Sequence, residues 1–259
     1  MAVTPPGESM DIGLKGKKAL VTGASRGIGR GIARVLAQEG AELILVARDE
    51  ARLEEAKKNL PGAGNHSALA LDLMKPDHLQ KLVGFMETRG SPEILVHNLG
   101  GSLGVTDPFA SAEEWSKVWH FNLGIGHEIN RKIVPLMASK KWGRIIHVST
   151  LATQTHEGNP AYIAAKCALN GYVKCLAREV ARHNIVVAAV SPGIIRIEGR
   201  YFANLEKEKP EEFSAYLKNH LPMMRLGEVG EVANVVAFLC SEKASFMTGS
   251  NVSVDGGGR

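Results

Sequence analysis

Tyr162 and Lys166 stand four residues apart in Ala161-Tyr162-Ile163-Ala164-Ala165-Lys166, a segment of strong helix-forming composition. On a helix that spacing puts both side chains on one face, within reach of a common ligand. A phenol titrates near pH ~10 and is a poor acid or base at neutrality. A neighbouring ammonium favours the phenolate and lowers that pKa, so the pair predicts a proton donor and acceptor at working pH. An exposed lysine beside a half-buried tyrosine would produce the same pattern by accident. The elements that would position the pair therefore carry the argument.

From Lys17 onward, short apolar runs alternate with amphipathic stretches. Strands are predicted at 18–22, 42–47, 67–71, 94–98, 144–149, 185–190 and 251–254, and helices at 29–39, 50–59, 76–88, 113–138, 162–182 and 228–239. Ser111 followed by Glu114 has the form of a capping box at the start of one helix. Apolar strands each followed by a helix predict an α/β fold, with a parallel sheet covered on both faces. Residues 1–13, rich in Pro and Gly, read as a flexible tail, and 14–259 as one domain. The region 193–226 is charged and interrupted by Pro210 and Pro222, and reads as irregular. An insertion at the carboxyl end of a strand is where substrate lids occur, which places a lid at about 194–222.

The first strand runs into Thr22-Gly23-Ala24-Ser25-Arg26-Gly27-Ile28-Gly29 and then a helix. Glycines there permit a tight turn and close approach of a pyrophosphate, and the helix amino terminus offers free N–H groups and a favourable dipole. In a dinucleotide-binding fold the tip of the second strand selects the cofactor. An acid there accepts from a ribose 2′-hydroxyl, whereas an arginine accommodates a 2′-phosphate. That strand ends Ala47-Arg48, with Arg26 in the glycine loop. Two guanidiniums and no carboxylate favour NADP(H). Asp49 and Glu50 come one position late and read as the start of the next helix.

The chain has 259 residues, 44% hydrophobic and 22% charged, with a net charge of +4. The basic residues are dispersed and aromatics are scarce, which argues against nucleic acid as a partner. The three cysteines, Cys167, Cys175 and Cys240, show no metal-site spacing and read as reduced, buried thiols. No signal-peptide pattern opens the chain and no apolar run approaches the ~20 residues a membrane span needs. Cytoplasmic placement, with no membrane partner and no metal, is the expectation.

Taken in order, Thr22–Gly29, Asp72-Leu73, His97-Asn98-Leu99-Gly100, Asn122, Ser149-Thr150, Tyr162/Lys166, Pro192-Gly193, Thr248-Gly249 and Val254-Asp255-Gly256-Gly257 form a specific set. With it the chain resembles the short-chain dehydrogenases/reductases from about residue 15 to 257, and within them the 3-oxoacyl-(acyl-carrier-protein) reductases. The resemblance implies a single doubly wound Rossmann-type domain of about seven parallel strands. It implies that Asp72, beside Leu73, accepts from the adenine amino group and that Asn98 and Gly100 line the adenosine and nicotinamide-ribose side. Lys166 would bind the ribose hydroxyls and lower the pKa of Tyr162, which would hand a proton to the carbonyl oxygen. Asn122 would hold a water linking Lys166 to solvent, and Pro192, Gly193 and Ile195 would close over the nicotinamide.

For the catalytic hydroxyl, counting back from Tyr162 selects Ser149 and counting forward from Gly143 selects Thr150; Ser149 is preferred narrowly. The family's usual Asn-Asn-Ala-Gly reads His97-Asn98-Leu99-Gly100, which places bulkier residues at the cofactor pocket. Ile197 replaces a threonine that grips the carboxamide. His156 reads as an exposed loop residue.

The resemblance implies reduction of a ketone or 3-oxoacyl group, on a small molecule that is free or carrier-protein-bound. Lys140, Lys141 and Arg144 are the candidates for meeting an acidic carrier. Assembly as a homodimer or homotetramer through the long helices is expected. An NAD-dependent alcohol, steroid or sugar dehydrogenase, and a catalytically silent cofactor-binding sensor, are the alternatives.

Overall fold

A computed structural model describes residues 11–62 and 64–258. The expected tail at 1–13 lies outside the described residues as far as Met10. Seven parallel strands form one sheet: β1 (Lys18–Thr22), β2 (Glu42–Ala47), β3 (Ser67–Ala70), β4 (Ile94–His97), β5 (Gly143–Val148), β6 (Ile185–Pro192) and β7 (Asn251–Val254). Their spatial order is β3-β2-β1-β4-β5-β6-β7. The chain leaves β1 towards one edge and returns to the other side at β4. At that reversal no helix crosses the carboxyl ends, and a crevice opens where ligands bind in open α/β sheets.

The period-2 geometry of the strands divides the core between the two faces. Ala19, Val21, Leu43, Leu45, Ile94 and Val96 pack on one side, against Ile32 and Leu36 of α1 (Gly27–Gln38) and Val232 and Val236 of α10 (Val229–Leu239). Leu20, Ile44, Val46 and Leu95 pack on the other, against Leu82 of α3 (Pro76–Arg89), Ile129 and Ile133 of α5 (Ile125–Lys140) and Leu169 and Val173 of α7 (Pro160–Val180). Burial on both faces is why these strands read as continuous apolar runs.

Two expectations about the elements need correction. The helix expected at 113–138 is α4 (Ala112–Trp119), a π-helical turn at His120–Gly124 and then α5. The capping box at Ser111 and Glu114 forms at its start. A π turn inserts one residue into the helical phase and occurs at functional sites, and here it carries Asn122. The region read as irregular contains two helices, α8 (Tyr201–Glu208) and α9 (Pro210–His220). Pro210 starts the second helix, where its missing N–H costs nothing. Leu205, Phe213, Leu217, Leu221 and Leu226 give this region its own small core.

Arg144 is the third correction. Its side chain is fully buried, donating to Ser241 O at 3.2 Å and Gly143 O at 2.9 Å and pairing with Glu242 at 3.1 Å. A buried charge left unpaired costs several kcal/mol, so this arginine braces β5 against the segment after α10 and is withdrawn from any carrier protein. The cysteines also differ from expectation, since only Cys240 is buried while Cys167 and Cys175 are exposed.

Candidate active site

The crevice at the β1/β4 reversal is a groove of about 810 Å³. Gly23, Ser25, Arg26, Gly27, Ile28, Arg48, Asp72, Leu73, Asn98 and Gly100 all line it. Gly27 adopts φ +54°, a left-handed conformation that L-residues avoid, and this turns the loop into α1. Gly29 lies beneath the loop, where a Cβ would come within 2.3 Å of Gly23 O; its role is packing. Asn98 donates from Nδ2 to the carbonyls of Thr22 and Gly23, both at 3.2 Å, and so clamps β4 to the glycine loop. Leu99 borders the groove, but His97 does not: it is buried on the far side.

Four guanidiniums converge at one end, from Arg26, Arg48, Arg52 and Arg200. Arg200, then burial, then Arg52 and Arg48 hold Arg26 below the ordinary arginine value, against the opposing pull of Asp49. Asp49 itself caps α2 (Glu50–Lys58), accepting from Arg52 N, as its position one residue past the strand implied. Arg52 and Arg200 were not legible as groove residues, because one sits inside a helix and the other in the 193–226 region.

Behind the groove floor at Gly100, α7 and the end of β5 bring Lys166, Tyr162 and the two hydroxyl candidates together. Lys166 is 3% exposed and donates to Val148 O at 2.7 Å. A Cβ on Gly100 would lie 2.9 Å from Lys166 Nζ and 2.7 Å from Asn122 Oδ1, so only glycine lets the groove floor meet these groups. Asn122 Nδ2 donates to Val118 O and to Gly101 O, each at 2.8 Å, and Oδ1 accepts from Gly101 N at 3.0 Å. Both amide hydrogens are engaged by backbone. The side chain therefore positions the 100–102 loop instead of offering a free donor to water.

The two hydroxyl candidates face different ways. Thr150 is the hydroxyl near enough to Tyr162 to pull its pKa down, and its Oγ1 accepts from Ala152 N at 3.3 Å. Ser149 Oγ donates to Asn170 Oδ1 at 2.7 Å and is 4% exposed. Alternation at the end of β5 separates the neighbours, so the hydroxyl beside Tyr162 belongs to Thr150 and the preference for Ser149 is reversed. Burial pushes the Tyr162 phenol up, opposed by the nearby Thr150 hydroxyl, and burial lowers Lys166 to about 8. The anticipated lowering of Tyr162 by Lys166 is absent from this arrangement: the ammonium lies 5.9 Å from the ring centroid and is directed at Val148 O.

Pro192 and Gly193 end β6, and Gly193 packs against the backbone of Asp255. The Ile195 side chain faces Gly227 and a separate cavity of about 240 Å³ beneath the lid, away from the groove. Ile197 takes the groove-side place, its Cδ1 3.3 Å from where a Cβ of Gly27 would be. His156, left-handed at φ 59°, is exposed. Behind Lys166 lies a network no spacing announced. His97 Nε2 and Asn130 Oδ1 are 2.8 Å apart, Asn130 donates to Tyr172 Oη at 3.2 Å, and the His97 and His147 rings stack at 4.5 Å. Burial lowers His97 to about 4 and His147 well below its ordinary value, so both imidazoles are neutral.

A family model described as enoyl-(acyl carrier protein) reductase matches residues 23–258. The 3-oxoacyl-[acyl-carrier-protein] reductase of Pseudomonas aeruginosa is 35% identical over 94% of this chain and 98% of its own length. The chain belongs to the short-chain dehydrogenase/reductase family. Among solved short-chain reductases, L-sorbose reductase from Gluconobacter frateurii, complexed with NADPH and L-sorbose, aligns with a TM-score of 0.86 at 35% identity, covering 96% of this chain and 98% of that one. A 3-oxoacyl (acyl-carrier-protein) reductase from Agrobacterium tumefaciens with NADP bound aligns at 0.86 and 28% identity, over 98% of this chain and all of that one.

Proposed function

We propose that this short-chain dehydrogenase/reductase is an NADP(H)-dependent oxidoreductase that reduces a ketone, a 3-oxoacyl group or a related carbonyl, to an alcohol. The observation that carries the reading is one groove lined by the glycine loop and four arginines, with Gly100 in its lining set directly against Lys166 of the Tyr162/Lys166 pair. The residues fit the cofactor: the glycine loop leaves room for a diphosphate, Arg26 and Arg48 suit a 2′-phosphate, and Gly100 leaves room for a ribose beside Lys166. The similar solved structures that hold NADPH and NADP support the same choice. When bound, the cofactor supplies the hydride that adds to the carbonyl carbon.

The chain's own groups handle the proton and the charge. Tyr162, kept protonated by its burial, gives its hydroxyl proton to the carbonyl oxygen as negative charge develops there. Thr150 already accepts from Ala152 N, so its own hydrogen is free to donate to the same oxygen. Lys166, charged below about pH 8 and held on Val148 O, adds a positive charge beneath the groove floor at Gly100. Asn122 holds the 100–102 loop against this centre. Lys140 and Lys141, exposed at the end of α5, are the basic residues left for a carrier-borne acyl substrate. Assembly through α4 and α5, where Trp119 and Leu136 are exposed, is part of the same proposal. No helix among the described residues is long and apolar enough to cross a membrane.

The test is NADPH oxidation with a panel spanning 3-oxoacyl thioesters and ketoses, comparing the native chain with Tyr162→Phe. Turnover should fall about 10³-fold or more while NADPH binding persists. Undiminished turnover in the variant would sink the assignment.

A further inference from the structure

We propose that Arg200, the extended residue that immediately precedes α8 in the lid, is a ligand for the cofactor's 2′-phosphate and thereby ties the lid to cofactor identity. The inference rests on the NADP(H) reading above.

The lid is fastened at its base and free beyond it. Arg196 N donates to Gly227 O at 2.7 Å and Gly227 N to Ile194 O at 3.0 Å, so the two stems of the insertion are stapled together. Arg196 also pairs with Glu206 of α8 and, at 2.9 Å, with Glu228. From this base the chain runs over the groove. Ile197 rests on Gly27, and Arg200 follows after a turn closed by Arg200 N donating to Ile197 O at 3.1 Å. Arg200 thus borders the groove from the lid side, facing Arg26 of the glycine loop, Arg48 at the end of β2 and Arg52 of α2.

Four guanidiniums from four elements share this end of the groove, and their countercharge is small. Among the described residues Arg26, Arg48 and Arg200 form no ion pair, and Arg52 pairs only with Asp49, at 3.3 Å. Asp49 is further engaged as the cap of α2. Like charges at this range repel, and Arg200 is the largest influence on Arg26. A phosphate monoester with close to two negative charges reverses the sign of that interaction, because each guanidinium presents a planar fork matched to phosphate oxygens. NADH leaves a hydroxyl at that position and leaves the repulsion in place. Only the phosphorylated cofactor therefore holds the lid stem against the groove, and α8 and α9 are carried with it.

The experiment measures NADPH and NADH affinity by titration for the native chain, Arg200→Gln and Arg200→Lys, together with hydrogen–deuterium exchange of residues 201–220. Arg200→Gln should raise the Kd for NADPH about tenfold, the worth of one charged hydrogen bond, and move that for NADH by less than about twofold. Arg200→Lys should fall between. In the native chain NADPH should slow exchange in 201–220 more than saturating NADH does, and Arg200→Gln should erase the difference. Arg200 is exposed, so the cofactor-free variant should melt like the native chain. Equal weakening of both cofactors would place Arg200 on the diphosphate and overturn the proposal, as would no weakening or equal lid protection by both. A native chain that binds neither cofactor would instead refute the NADP(H) reading itself.

Discussion

The arginine-lined groove and the Tyr162/Lys166 centre behind its floor are built on opposite principles. Around Tyr162 nearly every polar group already has a protein partner: Lys166 on Val148 O, Asn122 on Val118 and Gly101, Ser149 on Asn170, and Thr150 on Ala152. In the groove four arginines share two carboxylates, Asp49 and Asp72, of which Asp49 pairs with Arg52. Buried polar groups must be satisfied at folding, because an unmet donor or acceptor costs ~1–3 kcal/mol. Exposed guanidiniums are solvated and can wait for a ligand. The Tyr162/Lys166 centre is therefore preorganised, and the arginines are left to supply binding energy to an anion.

That contrast can be broken or sharpened by substitution, beyond the loss expected for Tyr162→Phe. Thr150→Val removes the hydroxyl beside Tyr162 and should lower kcat about 100-fold with little change in NADPH Kd. Ser149→Ala should change kcat only a few-fold, and a reversal of these two effects in steady-state kinetics would return the role to Ser149. In the groove, Arg48→Asp should raise the NADPH Kd by roughly ten- to thirtyfold while leaving kcat at saturation nearly unchanged. A loss in kcat without a loss in affinity would abolish the division between the two. The smallest effect is on pH. Lys166 lies below the ordinary lysine value, so its charge is fully present below about pH 7 and half lost at about 8. Carbonyl reduction should be halved near pH 8 and fall about tenfold per unit above it. A rate flat to pH 10 would show that the lysine charge plays no part in the step.

Much of this was legible because some chemistry depends on local spacing alone. Tyr162 and Lys166 share a face of α7 by helical period, and Gly23 to Gly29 mark a strand-to-helix turn by composition. Arg48 follows from its place at a strand tip. Other features depend on which way a side chain turns. Ser149 and Thr150 differ only in the strand's alternation, and a loop of uncertain length left the count open. His97 looked like a pocket residue, yet its ring turns inward to Asn130 and His147, which come from α5 and β5. Arg144 looked like a surface cation and is buried on Glu242, about a hundred residues distant.

The sequence by itself determined the seven parallel strands, the glycine loop, the bias towards a phosphorylated cofactor and the tyrosine–lysine pair. Each of these is written in periodicity or in residues adjacent along the chain. The tertiary structure alone decided that Thr150 faces the phenol, that the 193–226 region folds into two helices and that Arg52 and Arg200 join Arg26 and Arg48. Those are convergences of residues far apart in sequence, produced by strand order and lid packing, and local spacing carries no record of them.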